Sequence, residues 1–126
     1  MSKAELLFRR FLDKAYPHGF VLKVPDYKQT GSAALRGLPD FMVIDKGATF
    51  WYEVKYTPSL RSFNLNGLNA HQWIICHKML QAGYDVIIVV YNADYEAYIE
   101  RFSVMLHLRQ NGLSTILFKD MCALEK

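Results

Sequence analysis

A chain of 126 residues is one domain's worth: long enough to bury a core, too short for a second domain of ordinary size. Hydrophobic residues make up 52% and charged residues 21%, evenly spread, which excludes a disordered segment. The longest apolar run, Val86 to Tyr91, falls far short of the roughly 20 residues a membrane-spanning helix needs, and a net charge of +3 only weakly favours a polyanionic partner.

The N-terminus has no signal-peptide apolar core, so a soluble, cytoplasmic protein with no membrane partner is expected. Cys76 and Cys122 lack CxxC spacing and read as ordinary thiols. His18, His71, His77 and His107 have no metal-ligand spacing that shares a helix face. The basic residues Arg9, Arg10, Lys14, Lys23, Lys28 and Arg36 gather in the first third, whereas Asp94, Glu96 and Glu100 lie late, an asymmetry that suits a nucleic-acid face and equally a solvated basic surface.

Lys3 to Ala15 carries Leu6, Leu7, Phe8, Phe11, Leu12 and Ala15 at helical spacing, with Ser2 as N-cap and Pro17 and Gly19 ending the pattern. Phe20 to Val24 alternates as a short strand stopped by Pro25, and the polar, Gly-punctuated Asp26 to Gly37 reads as a loop. Phe41 to Ile44 and Thr49 to Tyr56 are β-branched and aromatic, and the turn Asp45 to Ala48 makes them a hairpin. Thr57 to Asn66 is loop-like; from about Asn69 to Ala82 a helix is expected, with Gly83 at its C-terminal cap. Val86 to Tyr91 fits a fully buried central strand. Tyr95 to Arg101 alternates like an edge strand, Ser103 to Gln110 reads as a helix ended by Asn111 and Gly112, and Leu113 to Phe118 as a last short strand. The order predicts a single α/β domain over residues 1–126, a mixed β-sheet flanked by helices.

The chemistry centres on the hairpin. Side chains two apart on a strand share a face, so Glu53 and Lys55 project together while Tyr52 and Val54 point the other way. Hairpin closure brings Asp40, just before the first strand, beside Glu53, and two carboxylates converge. Hard divalent cations take such oxygens and leave the rest of their shell to water and phosphate; Mg²⁺, with Mn²⁺ as substitute, is the expected cofactor, and the Val54 carbonyl is a further candidate ligand. A cation there would activate water and offset charge on a scissile phosphate, with Lys55 orienting or deprotonating that water. A Glu and a Lys two apart are also a common solvated pair, and Pro-Asp a common turn; the conjunction with an otherwise hydrophobic strand favours the site.

Gly37-Leu38-Pro39-Asp40 followed by Glu53-Val54-Lys55 resembles the PD-(D/E)xK nuclease superfamily, a likeness running from about Gly37 to Val90. Pro39-Asp40-Phe41, Trp51-Tyr52-Glu53-Val54-Lys55-Tyr56-Thr57, Phe63-Asn64-Leu65 and His71-Gln72 are most similar to RecU-type Holliday junction resolvases; VRR-NUC nucleases share a comparable Gly-x-Pro-Asp, Glu-x-Lys and downstream Gln.

The resemblance implies a restriction-endonuclease-like core and a metal-dependent, structure-specific DNA endonuclease acting on branched DNA in recombination and repair, in a bacterial or phage-infected cell. It also implies a homodimer, because two symmetric cuts on a four-way junction need two active sites. Aromatic residues such as Trp51, Trp73, Tyr95 and Tyr98 could serve that interface, although most suit a core. Glu5 matches an acidic residue of the opening helix near the metal, with Asp13 an alternative on the same helix, and Gln72 matches a Gln that contacts the active-site Lys or a phosphate. Lys23, Lys28, Arg36 and Arg61 are the expected DNA contacts, and Thr30, Gly31 and Ser32 a segment suited to a phosphate. The chain lacks the N-terminal extension and stalk expected of a full RecU-type resolvase, which suits a small phage-like or mobile-element resolvase or a standalone nuclease module. A non-catalytic DNA-binding module, a restriction-like enzyme or an unrelated α/β protein are the competing readings.

Overall fold

Why the chain folds as it does is clearest in its computed structural model, which describes residues 1–125, Tyr27 and Gln29 through their backbone alone. Helix α1 spans Lys3–Ala15 and opens on a capping box: the Ser2 side chain accepts from the Glu5 N–H, and the Glu5 carboxylate accepts from the Ser2 N–H. Its buried stripe, Ala4, Phe8 and Leu12, recurs every four residues.

Strands β1 (Phe20–Lys23), β2 (Phe41–Asp45) and β3 (Ala48–Tyr56) run antiparallel in sequence order. The β2–β3 turn is tighter than expected. Asp45 pairs with Ala48, leaving two residues, Lys46 and Gly47, both at positive φ (50° and 80°), the mirror-image turn whose twist matches a hairpin. Between β1 and β2 the expected loop contains a four-residue helix, α2 (Tyr27–Thr30), and a 3-10 turn at Ala33–Leu35.

The expected loop Thr57 to Asn66 holds strand β4 (Ser62–Asn64), followed by a 3-10 turn at Leu65–Gly67 and helix α3 (Ala70–Gln81). Strand β5 (Ile87–Tyr91) runs parallel to β3, and β6 (Ala97–Arg101) pairs antiparallel with it. Helix α4 (Phe102–Gln110) follows, then β7 (Thr115–Leu117) and β8 (Cys122–Ala123). One expectation for the tail is corrected: β6 is not an edge, because β8 pairs with its far side. The short strand expected within Leu113 to Phe118 forms as β7 and pairs with β4.

The main sheet therefore has six strands in the order β1-β2-β3-β5-β6-β8, with β4 and β7 as a second, two-stranded sheet. Pleating sends Tyr52, Val54, Val89 and Tyr91 to one face, where they pack with Phe8, Leu12, Phe41 and Val43 under α1. It sends Ile88 and Val90 to the other, where they pack with Trp73, Cys76, Phe102, Met105 and the small sheet. This is the restriction-endonuclease-like α/β fold. No helix among the described residues is long and apolar enough to cross a membrane.

Candidate active site

The parallel β3–β5 pair sits in the middle of the sheet, and its register places Glu53 beside Ile88 and Lys55 beside Val90. Both charged side chains thus enter the apolar layer beneath α3. Glu53 is only 2% exposed, a burial that penalises a carboxylate unless it is paired or ligated.

Its partners come from β3 itself and from the first turn of α3. The Lys55 ammonium lies 3.4 Å from Glu53 Oε2, Gln72 Nε2 donates to that same oxygen at 3.0 Å, and Lys55 Nζ donates to Gln72 Oε1 at 2.8 Å. Gln72 is fixed by a second capping box: its N–H donates to the Asn69 side chain at 2.9 Å, and its own Oε1 accepts from the Asn69 N–H at 3.0 Å. The remaining carboxylate atom, Glu53 Oε1, is buried without a hydrogen-bond partner.

Asp40 stands where the β2–β3 ladder stops. Continuing the register would set Pro39 opposite Val54, and proline has no N–H to give. The Asp40 carboxylate takes over part of that place: its Oδ2 accepts from the Val54 N–H at 2.8 Å. The Val54 carbonyl, which points to the same strand edge as its N–H, faces the same gap and loses the ladder donor that proline cannot supply. The Asp40 carbonyl accepts from the Val24 N–H at 2.8 Å, tying the end of β1 to the site.

Burial pushes the Asp40 carboxyl above its ordinary value, against the lowering effect of the Val54 N–H, and the Glu5 charge adds to the rise. Glu53 is pushed up to about 8, first by burial and then by the charge of Asp40. Two neighbouring carboxylates that resist joint ionisation, one with an orphaned oxygen, are the oxygen donors a hard divalent cation takes; Asp40, Glu53 and the Val54 carbonyl are the groups that could hold one. Among the described residues no group of three or more His, Cys, Asp and Glu is placed to hold a metal ion, so two carboxylates and a carbonyl are the donors this site offers.

Over this pair opens a cleft of about 740 Å³, lined by Glu5, Lys23, Lys28, Arg36, Asp40 and Gln72 among others. Glu53 and Lys55 do not line it, but Gln72, which hydrogen-bonds both, does. Lys23 bridges two acids, 3.4 Å from Glu5 and 3.9 Å from Asp40, and donates to the Val24 carbonyl at 2.8 Å. Glu5 therefore reaches the cleft, with Lys23 between it and Asp40, while Asp13 is spent on an i,i+4 pair with Arg9 at 3.2 Å. Arg61 is exposed in the loop before β4 and is absent from the residues lining the cleft. Within the segment considered for phosphate, the Ser32 N–H already donates to Thr30 Oγ1 at 3.2 Å.

Three residues present in the sequence reading gain roles it did not assign. Asn69 orients Gln72, and Asn69-x-x-Gln72 is a legible capping-box pattern. His71 lines the cleft through its place beside Gln72. Gly37, at φ 84°, lets the Pro39-Asp40 loop approach α3 so closely that a Cβ would lie 2.7 Å from the His71 carbonyl oxygen.

No family model and no curated protein matches the chain. Among solved structures it is similar to Hjc, a Holliday junction resolvase from the archaeal hyperthermophile Archaeoglobus fulgidus, with a TM-score of 0.66 over 96% of this chain and 93% of that one. Sequence identity is 13%, so the likeness is one of fold.

Proposed function

We propose that the protein is a metal-dependent, structure-specific DNA endonuclease that resolves four-way junctions. The observation that carries this reading is the Asp40–Glu53 pair: Glu53 buried with an orphaned oxygen, and Asp40 half-buried in the wall of a cleft also lined by Lys23, Lys28 and Arg36. The fold shared with a junction resolvase supports the substrate class. Arg61, outside the cleft, meets DNA only if the duplex runs beyond it.

In this mechanism Asp40, Glu53 and the Val54 carbonyl would hold Mg²⁺, or Mn²⁺ in its stead, and the ion would supply water activation and charge neutralisation at the scissile phosphate. Lys55, held by Gln72 and Glu53, presents its ammonium to the attacking water and to the developing negative charge. Gln72 is a positioning residue that fixes both Lys55 and Glu53. Lys23 holds the Asp40 carboxylate in place and, with Lys28 and Arg36, meets backbone phosphates; reading phosphate positions rather than base edges gives shape selectivity. A homodimer places two such sites on one junction for paired cuts.

The test is cleavage of a labelled four-way junction, against linear duplex, flap and single strand, with Mg²⁺ or EDTA, by wild type and Asp40→Asn. Paired, Mg²⁺-dependent nicks on the junction, lost in the variant, are expected. Cutting of flaps or linear DNA would move the protein to a broader nuclease, and no cleavage of any substrate would leave at most a DNA-binding module.

A further inference from the structure

Tyr95 occupies a backbone conformation that a bulky residue rarely adopts, with φ at 56° in the turn between β5 and β6. Glycine would fit there without strain. The turn is held by Asn92, itself 1% exposed: its Oδ1 accepts from the Asp94 N–H at 3.0 Å and the Glu96 N–H at 2.9 Å, and its Nδ2 donates to Glu96 Oε1 at 3.1 Å. The Tyr95 N–H closes onto the Asn92 carbonyl at 2.9 Å. A strained residue so firmly over-determined calls for a reason, and its ring supplies one.

The ring stacks on Tyr56, centroids 5.3 Å apart and planes 29° from parallel, and the Lys3 ammonium sits 4.0 Å from the Tyr95 centroid. Tyr56 is 47% exposed, so much of its ring remains open to solvent behind this backing. Position ties the stack to the cleft. Tyr56 follows Lys55 at the end of β3 but projects to the opposite, α1 face, where Lys3 stands in the first turn of α1 between Ser2 and Glu5, both of which line the cleft.

We propose that Tyr56, backed by Tyr95 and Lys3, is a stacking platform for a nucleobase freed from its neighbours at a DNA branch point. Aromatic rings bind bases through their π-faces whatever the sequence, and an adjacent ammonium meets the accompanying phosphate. In continuous duplex each base face is covered by the next pair; only a branch, a fork or a single-stranded arm offers one open. The platform would thus add a preference for branched over linear DNA to a site whose other contacts are with phosphates, and it rests on the nuclease reading above.

The test measures binding, in EDTA, of a splayed-arm DNA with 2-aminopurine as its first unpaired base against continuous duplex of matched length. Wild type should quench the 2-aminopurine, and Tyr56→Leu and Tyr95→Gly should each weaken fork binding about 5- to 100-fold while duplex affinity stays within about twofold. Tyr56→Phe, which keeps the ring, should behave as wild type. If Tyr56→Leu fails to fold, Tyr95→Gly decides, because it removes the ring and the backbone strain together. Undiminished fork affinity in the ring-less variants, or equal losses on both DNAs, overturns the platform alone. A wild type that binds neither DNA sinks the nuclease reading with it.

Discussion

The two faces of strand β3 bury polar groups in opposite ways. Toward α1, Tyr52 packs its ring 5.1 Å from that of Phe8 and shares a 3.0 Å hydrogen bond with the Tyr16 hydroxyl. Around Tyr52 that face is closed and satisfied. Toward α3, one residue further on, Glu53 is buried as deeply but keeps an oxygen without a partner, beside a second carboxylate that raises its pKa. A satisfied buried polar group is compatible with a purely structural role, whereas a half-satisfied buried charge opposes folding unless something binds it. Around Tyr52 the sheet holds the fold together, whereas around Glu53 it carries a charge that only a ligand would satisfy.

The largest effect expected from breaking this contrast is on the α3 face. Glu53→Gln should lower junction cleavage by about a thousandfold or more, since the charge that holds the cation is lost. The same change should raise the melting temperature of the metal-free protein at alkaline pH, because it removes a buried anion. Activity and stability moving in opposite directions is the signature of a ligand site, and a fall in both would assign Glu53 to the core instead. On the α1 face the expectation reverses: Phe8→Ala, deleting a fully buried ring, should cost about 3–5 kcal/mol in denaturant unfolding.

Protons sharpen the contrast further. Glu53 titrates near 8 in the folded chain against 4.5 for the free side chain, a raised pKa, so its contribution to metal-free stability is fully present below about pH 4.5 and is lost as pH rises through 8. The raised pKa of Asp40 acts in the same direction. Mg²⁺ needs both carboxylates ionised, so its apparent affinity should climb over that same window. Thermal melts with and without Mg²⁺ should show a stabilisation that grows with pH, reaching about 2.7 kcal/mol once the ion is at a hundred times its dissociation constant. A Mg²⁺ effect that is flat with pH, or that persists in Glu53→Gln, would place the cation elsewhere.

How much of this was legible follows from how local each signal is. The hairpin, its Glu-x-Lys strand and the α1 cap are written in adjacent residues, and their periodicity or turn chemistry survives without knowledge of the rest of the chain. Even so, the two-residue turn at Lys46-Gly47 was read two residues too long, because Asp45 and Ala48 look like turn residues until the ladder claims them. Strand β4 has three residues and finds its partner β7 beyond α3, β5, β6 and α4, and β8 has two residues. Neither is long enough to show a period, and both exist only because tertiary pairing supplies their hydrogen bonds. The alternation of Tyr95 to Arg101 draws Tyr95 into the strand, while Asn92 bends the chain there into a left-handed turn and β6 starts at Ala97. Arg61 was grouped with the cleft cations by its nearness in sequence to β3, although the loop that carries it ends in the small sheet, where its carbonyl accepts from the Phe118 N–H at 2.9 Å.

The smallest expected effect tests whether the α1 face is as independent of the chemistry as its packing suggests. Tyr52→Phe removes one hydroxyl and leaves the ring against Phe8. The Tyr16 hydroxyl loses its partner, but Tyr16 is only half-buried and can turn to water, so the loss is that of an ordinary hydrogen bond, about 1 kcal/mol. Tyr52 neighbours Glu53 in sequence yet projects to the other side of the sheet, so cleavage and its pH profile should stay at wild-type values while the unfolding midpoint falls. A shift of the pH profile in this variant would mean that the two faces communicate through the β3 backbone, and that the Tyr16–Tyr52 bond helps hold the Val54 N–H against Asp40.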